Sequence, residues 1–137
     1  MGTSHQFVRS SPPTEVVAFF KSHPERIDER DSDGDGSTPL LTALQMKRSD
    51  VAHVLLELGA SPHKADRFGM TPLMKCCQVQ LEDMAEALLN YDVEVNARDS
   101  VDGLTALDWA LLNHNFALVD LLRRHGGKAN AVTERVV

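Results

Sequence analysis

Thr38, Thr71 and Thr105 each open a segment that recurs along the chain, first 33 and then 34 residues apart. The segments superpose as Gly36-Ser37-Thr38-Pro39-Leu40, Gly69-Met70-Thr71-Pro72-Leu73 and Gly103-Leu104-Thr105-Ala106-Leu107. Seventeen residues after each threonine stands a leucine, at Leu55, Leu88 and Leu122. The extra residue of the last spacing therefore falls in the turn 99–103, which is one longer than 66–69. Recurrence at a period of roughly 20–50 residues marks a chain built from copies of one small unit. A unit of that size cannot bury its apolar face alone, so the copies must stack in a row.

Each copy reads as two short helices. The threonine supplies a capping hydroxyl, and Pro39 and Pro72 fit the first helical position, where the missing N–H is unpaired in any case. In the first helix Leu40, Ala43 and Leu44 share one face, and Cys76-Cys77 stand at the corresponding small positions of the next copy. The second helices carry stripes at i, i+3, i+4 and i+7. These are Val51, Val54, Leu55 and Leu58, then Met84, Ala85, Leu88 and Leu89, then Leu118, Val119, Leu121 and Leu122. Gly59 and Gly126 follow as left-handed caps, a place taken by Asp92 in the middle copy.

The period, the capping threonine, the paired leucines and the Asp-x-x-Gly turn together resemble the ankyrin repeat family, over residues 31–130. The resemblance implies an all-α solenoid of stacked antiparallel helix pairs with protruding turns. It predicts repeats at about 33–65, 66–98 and 99–130 within a domain spanning 14–130. A degenerate capping half-repeat is expected at 14–31, carried by Glu15-Val16-Val17-Ala18-Phe19-Phe20. No first helix is recognisable before it, because Ser10-Ser11-Pro12-Pro13 breaks helices. Residues 1–13 are expected to be disordered and 131–137 to form a flexible tail.

Composition narrows the function. The 137 residues carry a net charge of −6, with 42% hydrophobic residues and 25% charged ones. Acidity without a basic patch counts against nucleic acid, whose phosphates need a cationic face. No apolar run reaches the roughly 18 residues of a membrane span, and the first residues lack the apolar core of a secretory signal. Met1-Gly2 has Gln6 where a myristoylation motif wants Ser or Thr. Two adjacent cysteines are a poor arrangement for a bridge and point to a reducing compartment, cytosol or nucleus.

Four features could carry chemistry. Asp31, Asp33 and Asp35 with Gly36 match the first half of a calcium loop, but the bidentate Glu expected at the twelfth position is Thr42 and the ninth is Pro39. An elongated acidic turn explains them better. Cys76-Cys77 lack the second pair of ligands that zinc requires. Six histidines and Trp109 fall at different repeat positions and give no nucleophile–base–orienter order. The resemblance further implies that Asn96, in Val95-Asn96-Ala97, stands in the context modified by asparaginyl hydroxylases, although an asparagine there also simply bonds the turn backbone. No cofactor is expected and no catalytic residue is assigned.

The family resemblance implies a protein-binding surface along the turn tips and the exposed side of the first helices. Carried onto this chain, the tip residues are Arg67, Phe68 and Met70, then Val101, Asp102 and Leu104. The helix residues are Met46, then Gln78 and Val79, then Leu112 and Asn113. Seven of these eleven are apolar, and a contiguous apolar patch marks an interaction surface. The reading is a protein–protein interaction module or adaptor without catalysis, a monomer that contacts neither nucleic acid nor membrane. Alternatives are an interaction fragment of a larger protein and a metal-regulated switch using the loop 31–36.

Overall fold

A computed structural model describes residues 4–32 and 34–130. Among them the regular structure is entirely helical, in four successive pairs. The helices are α1 (Ser4–Ser10) with α2 (Pro13–Ser22), α3 (Pro39–Gln45) with α4 (Ser49–Glu57), α5 (Pro72–Val79) with α6 (Glu82–Leu89), and α7 (Ala106–Leu112) with α8 (Phe116–Arg124). A 3₁₀ turn, Pro24–Arg26, follows α2. The odd-numbered helices pack in one row and the even-numbered ones in a second, so each pair packs on its neighbours. This is the stacked solenoid that the repeat predicts.

The repeated threonines start their helices as expected. Thr38, Thr71 and Thr105 Oγ1 accept from the N–H groups of Leu41, Met74 and Asp108 at 3.3, 3.2 and 3.2 Å. Asp108 returns the bond to the Thr105 N–H at 2.8 Å, completing a capping box. Each cap satisfies an otherwise orphaned donor and stabilises its helix by about 1 kcal/mol. One continuous core runs between the two rows, from Val8 and Phe20 through Leu40, Leu55, Met74 and Leu88 to Leu122. Cys76 and Cys77 lie wholly inside it. Burial pushes the Cys77 thiol up to about 12. Burial, with the neighbouring Cys77, raises Cys76 as well.

Two expectations are corrected. The segment expected to be disordered over 1–13 contains α1, packed on α3, so the capping half-repeat is the second half of a full helix pair. Its apolar signal is thin because polar contacts do much of the docking. His5 is buried and donates from Nε2 to the Ser37 carbonyl at 2.7 Å. The Arg48 guanidinium caps the Val8 carbonyl at 2.7 Å. Pro12 and Pro13 do end α1, but Pro13 then opens α2. Asp92 is not a left-handed cap. Gly59 and Gly126 are, at φ 101° and 85°, and the left-handed residues other than glycine fall between the helices of the last three pairs, at Lys47, Gln80 and His114. The expected tail, 131–137, lies outside the described residues, as do residues 1–3 and Asp33.

Candidate interaction face

The second and third turn tips are each held by an aspartate at the base. Asp66 Oδ1 accepts from the N–H groups of Phe68 and Met70, both at 2.9 Å. Asp99 Oδ1 accepts from those of Val101, Asp102, Gly103 and Leu104 at 3.0 to 3.3 Å, so the extra residue of this turn is absorbed within the span of one carboxylate. Backbone bonds join neighbouring tips, from Arg67 N–H to the Asp35 carbonyl and from Ser100 N–H to the Phe68 carbonyl, both 2.8 Å. The tips therefore form one braced row rather than independent loops.

This row places the expected contact residues unevenly. Phe68 and Val101 are exposed at the tips, Val101 most of all at 67%, and Met46 and Leu112 are exposed on the inner helices. Arg67, Asp102 and Gln78 are also exposed. Val79 and Leu104 are half-buried. Met70 is corrected from an exposed tip residue to a core one, at 6% exposure, because the Asp66 turn folds its side chain inward. Asn113 is spent on structure, donating from Nδ2 to the carbonyls of Cys77 and Gln78 at 3.1 and 3.4 Å.

A hollow of about 280 Å³ opens between the second and third tips. Phe68, Met70 and Val101 wall it on the tip side, and Lys75, Gln78 and Trp109 on the helix side. At its floor the Asp66 carboxylate and the Lys75 ammonium stand 3.6 Å apart, with side chains only 1% and 7% exposed. Asp35, Asp99 and Asp102 complete the lining, so four acidic residues and one lysine border the hollow. Burial pushes the Asp35 carboxyl upward, but the Ser37 hydroxyl and N–H bonds and the Lys75 charge outweigh it and hold it below the usual carboxylate range. A second hollow, along Ser37, Thr42, Gln45 and Met46, continues the face toward α1.

Sequence reasoning placed the face on residues seven and eight after each capping threonine and missed those four after it, Thr42, Lys75 and Trp109. The signal was available: on a helix, positions 4, 7 and 8 share one side. Tyr91 and Phe116 are exposed too, but at the end of α6 and the start of α8, in the outer row.

The remaining candidates resolve structurally. In the acidic loop, Asp35 Oδ1 accepts from the Ser37 hydroxyl and N–H at 2.6 and 3.1 Å. Asp31 approaches Arg9 at 3.8 Å, and Thr42, at the twelfth loop position, is buried inside α3. Asp33 lies outside the described residues, among which no three His, Cys, Asp or Glu side chains are gathered to hold a metal ion. The Asn96 amide bridges to the next repeat, donating to the Gly126 carbonyl at 3.1 Å and accepting from the Lys128 N–H at 2.7 Å. No described helix is long and apolar enough to cross a membrane.

Comparison with known families agrees with the architecture. A model of ankyrin repeats in three copies matches residues 58–133, and a model of the single ankyrin repeat matches residues 35–67. No curated protein matches the chain. Helix pairs, capping threonines, braced turns and these two matches together mean that the chain belongs to the ankyrin repeat family.

Proposed function

We propose that this chain is a protein-binding module, an adaptor that presents its turn tips and inner helices to a partner protein and performs no chemistry itself. The observation that carries the reading is the set of exposed apolar side chains, Met46, Phe68, Val101 and Leu112, along the face formed by the inner helix row and its tips. Such side chains are costly to leave in water and mark interaction surfaces when they lie together. The braced tips favour the reading further, because a surface already ordered loses little entropy on binding. Ankyrin repeats are in general protein-interaction modules, which fits the same role. We place the protein in the cytosol or nucleus as a monomer, a setting that suits two free buried thiols.

The test is a three-bait comparison with chemical crosslinking in native extract. One bait is wild type, one carries Phe68→Glu and Val101→Glu, and one carries Tyr91→Glu and Phe116→Glu in the outer row. Circular dichroism first establishes that all three fold. A protein crosslinked to the wild type and the outer-row variant, and lost from the inner-face variant, is expected. Recovery of the same proteins by all three baits sinks the proposed face.

A further inference from the structure

We infer that the hollow between the second and third turn tips takes the arginine side chain of a partner's peptide segment. The inference rests on the binding-module reading and specifies what that face recognises.

Charge is the first support. Asp35, Asp66, Asp99 and Asp102 line the hollow against Lys75 alone, a balance of four negative groups to one positive. Arg98 is not among the lining residues, and its guanidinium donates to the Gly103 carbonyl at 3.3 Å.

Two unmet polar groups at the hollow are the second support. Asp66 is 1% exposed, and its Oδ1 is used by the N–H groups of Phe68 and Met70. Its Oδ2 accepts no hydrogen bond among the described residues, and Lys75 Nζ at 3.6 Å is beyond bonding distance. Trp109 Nε1, closed off from solvent, likewise has no acceptor. Buried polar groups are nearly always paired, and leaving one unmet costs free energy. Asp66 and Trp109 line the same hollow, and one unmet acceptor and one unmet donor match a peptide unit that brings a cationic donor side chain and a main-chain carbonyl.

The walls select the kind of cation. A guanidinium is planar, stacks on aromatic faces and offers five donors in a fixed fork, whereas an ammonium is compact and strongly hydrated. Phe68 and Trp109 supply aromatic walls, and Asp66 and Asp102 supply acceptors at different depths. At about 280 Å³ the hollow holds a side chain rather than a single water, which needs only about 10–15 Å³.

A random heptapeptide library displayed on phage, panned against the whole chain, tests this. Enriched peptides are then titrated into ¹⁵N-labelled protein, where the lone tryptophan gives one indole N–H signal, that of Trp109. Enriched peptides are expected to share an arginine and to shift that signal saturably. Replacing the arginine by citrulline, which keeps the shape and removes the charge, should weaken binding about tenfold or more. Asp66→Asn should do the same while keeping an oxygen to hold the turn. Asp102→Lys, at an exposed position, decides the matter where Asp66→Asn melts early. Arginine-free peptides that bind, a citrulline or lysine version that binds equally, or shifts that leave Trp109 unmoved overturn the inference, while the binding-module reading stands. Enrichment of no peptide at all overturns both.

Discussion

Gly69 stands directly against Ser100, so that a Cβ built on the glycine would lie 2.7 Å from the Ser100 Oγ and 2.9 Å from its backbone nitrogen. This is the point where the second turn tip meets the third. Gly69 also has φ +77°, a region costly for any side chain. Gly59, at φ +101°, has nothing within 4 Å of its Cβ position and isolates the conformational cost alone. Gly69→Ala is therefore expected to destabilise by about 2–3 kcal/mol and Gly59→Ala by about 1 kcal/mol. Urea unfolding of both variants measures the difference. Equal losses would mean that the tips are not in close contact.

The Asp66–Lys75 pair is shut away from water on both sides, with its charges 3.6 Å apart. Removing one member of such a pair leaves an uncompensated buried charge, and typical losses are about 3–5 kcal/mol. Here three further acidic residues line the same hollow as Lys75, so its loss has the larger consequence. Lys75→Met is expected to cost about 3 kcal/mol, and adding Asp66→Asn to restore more than a third of it. A double-mutant cycle by chemical denaturation checks both. Additive losses would show that the two groups do not interact.

How much of this was legible in the sequence follows from where the information sits. The threonine caps and the leucine stripes are local signals, each set by residues three or four apart, and they read correctly in all three copies. Helix α1 was missed because its docking depends on partners far along the chain, His5 on Ser37 and Val8 on Arg48, which no periodicity reports. Met70 was misplaced because position in the motif does not say which way a turn folds its side chain; the Asp66 carboxylate decides that. The hollow was only half visible. Phe68 and Val101 could be named from the tips, but Lys75 and Trp109 join them only through the packing of α5 against α7.

Lys47, Gln80 and His114 hold the left-handed conformation between paired helices, at φ 58°, 63° and 54°. The bonds around them follow the pattern of a helix C-terminus closed by a glycine, with Arg48, Leu81 and Asn115 donating back to Ala43, Cys76 and Ala110 at 2.8, 2.8 and 3.0 Å. A non-glycine residue there carries steric strain of about 1 kcal/mol. Lys47 is exposed, and Lys47→Gly is expected to stabilise by about 0.5–1 kcal/mol, seen as a rise of a few degrees in the melting temperature. A lower melting temperature would mean that the lysine side chain contributes more than its backbone strain costs.

Cys76 and Cys77 are free thiols with no exposed surface, and burial holds both well above the ordinary range, Cys77 at about 12. The thiolate is the reactive form, so at pH 8 only about one Cys77 in ten thousand would carry it in the folded chain. Raising the pH to 9 should therefore do little in native buffer, whereas an exposed cysteine would already be largely ionised. Alkylation is expected to proceed only through unfolding, at a rate that rises with urea in parallel with the unfolded fraction. Iodoacetamide labelling followed by intact mass provides the measurement, and both cysteines should be modified together because one core encloses them. Modification of either thiol within minutes in native buffer at pH 8 would show that the centre of the α5 stack opens without global unfolding.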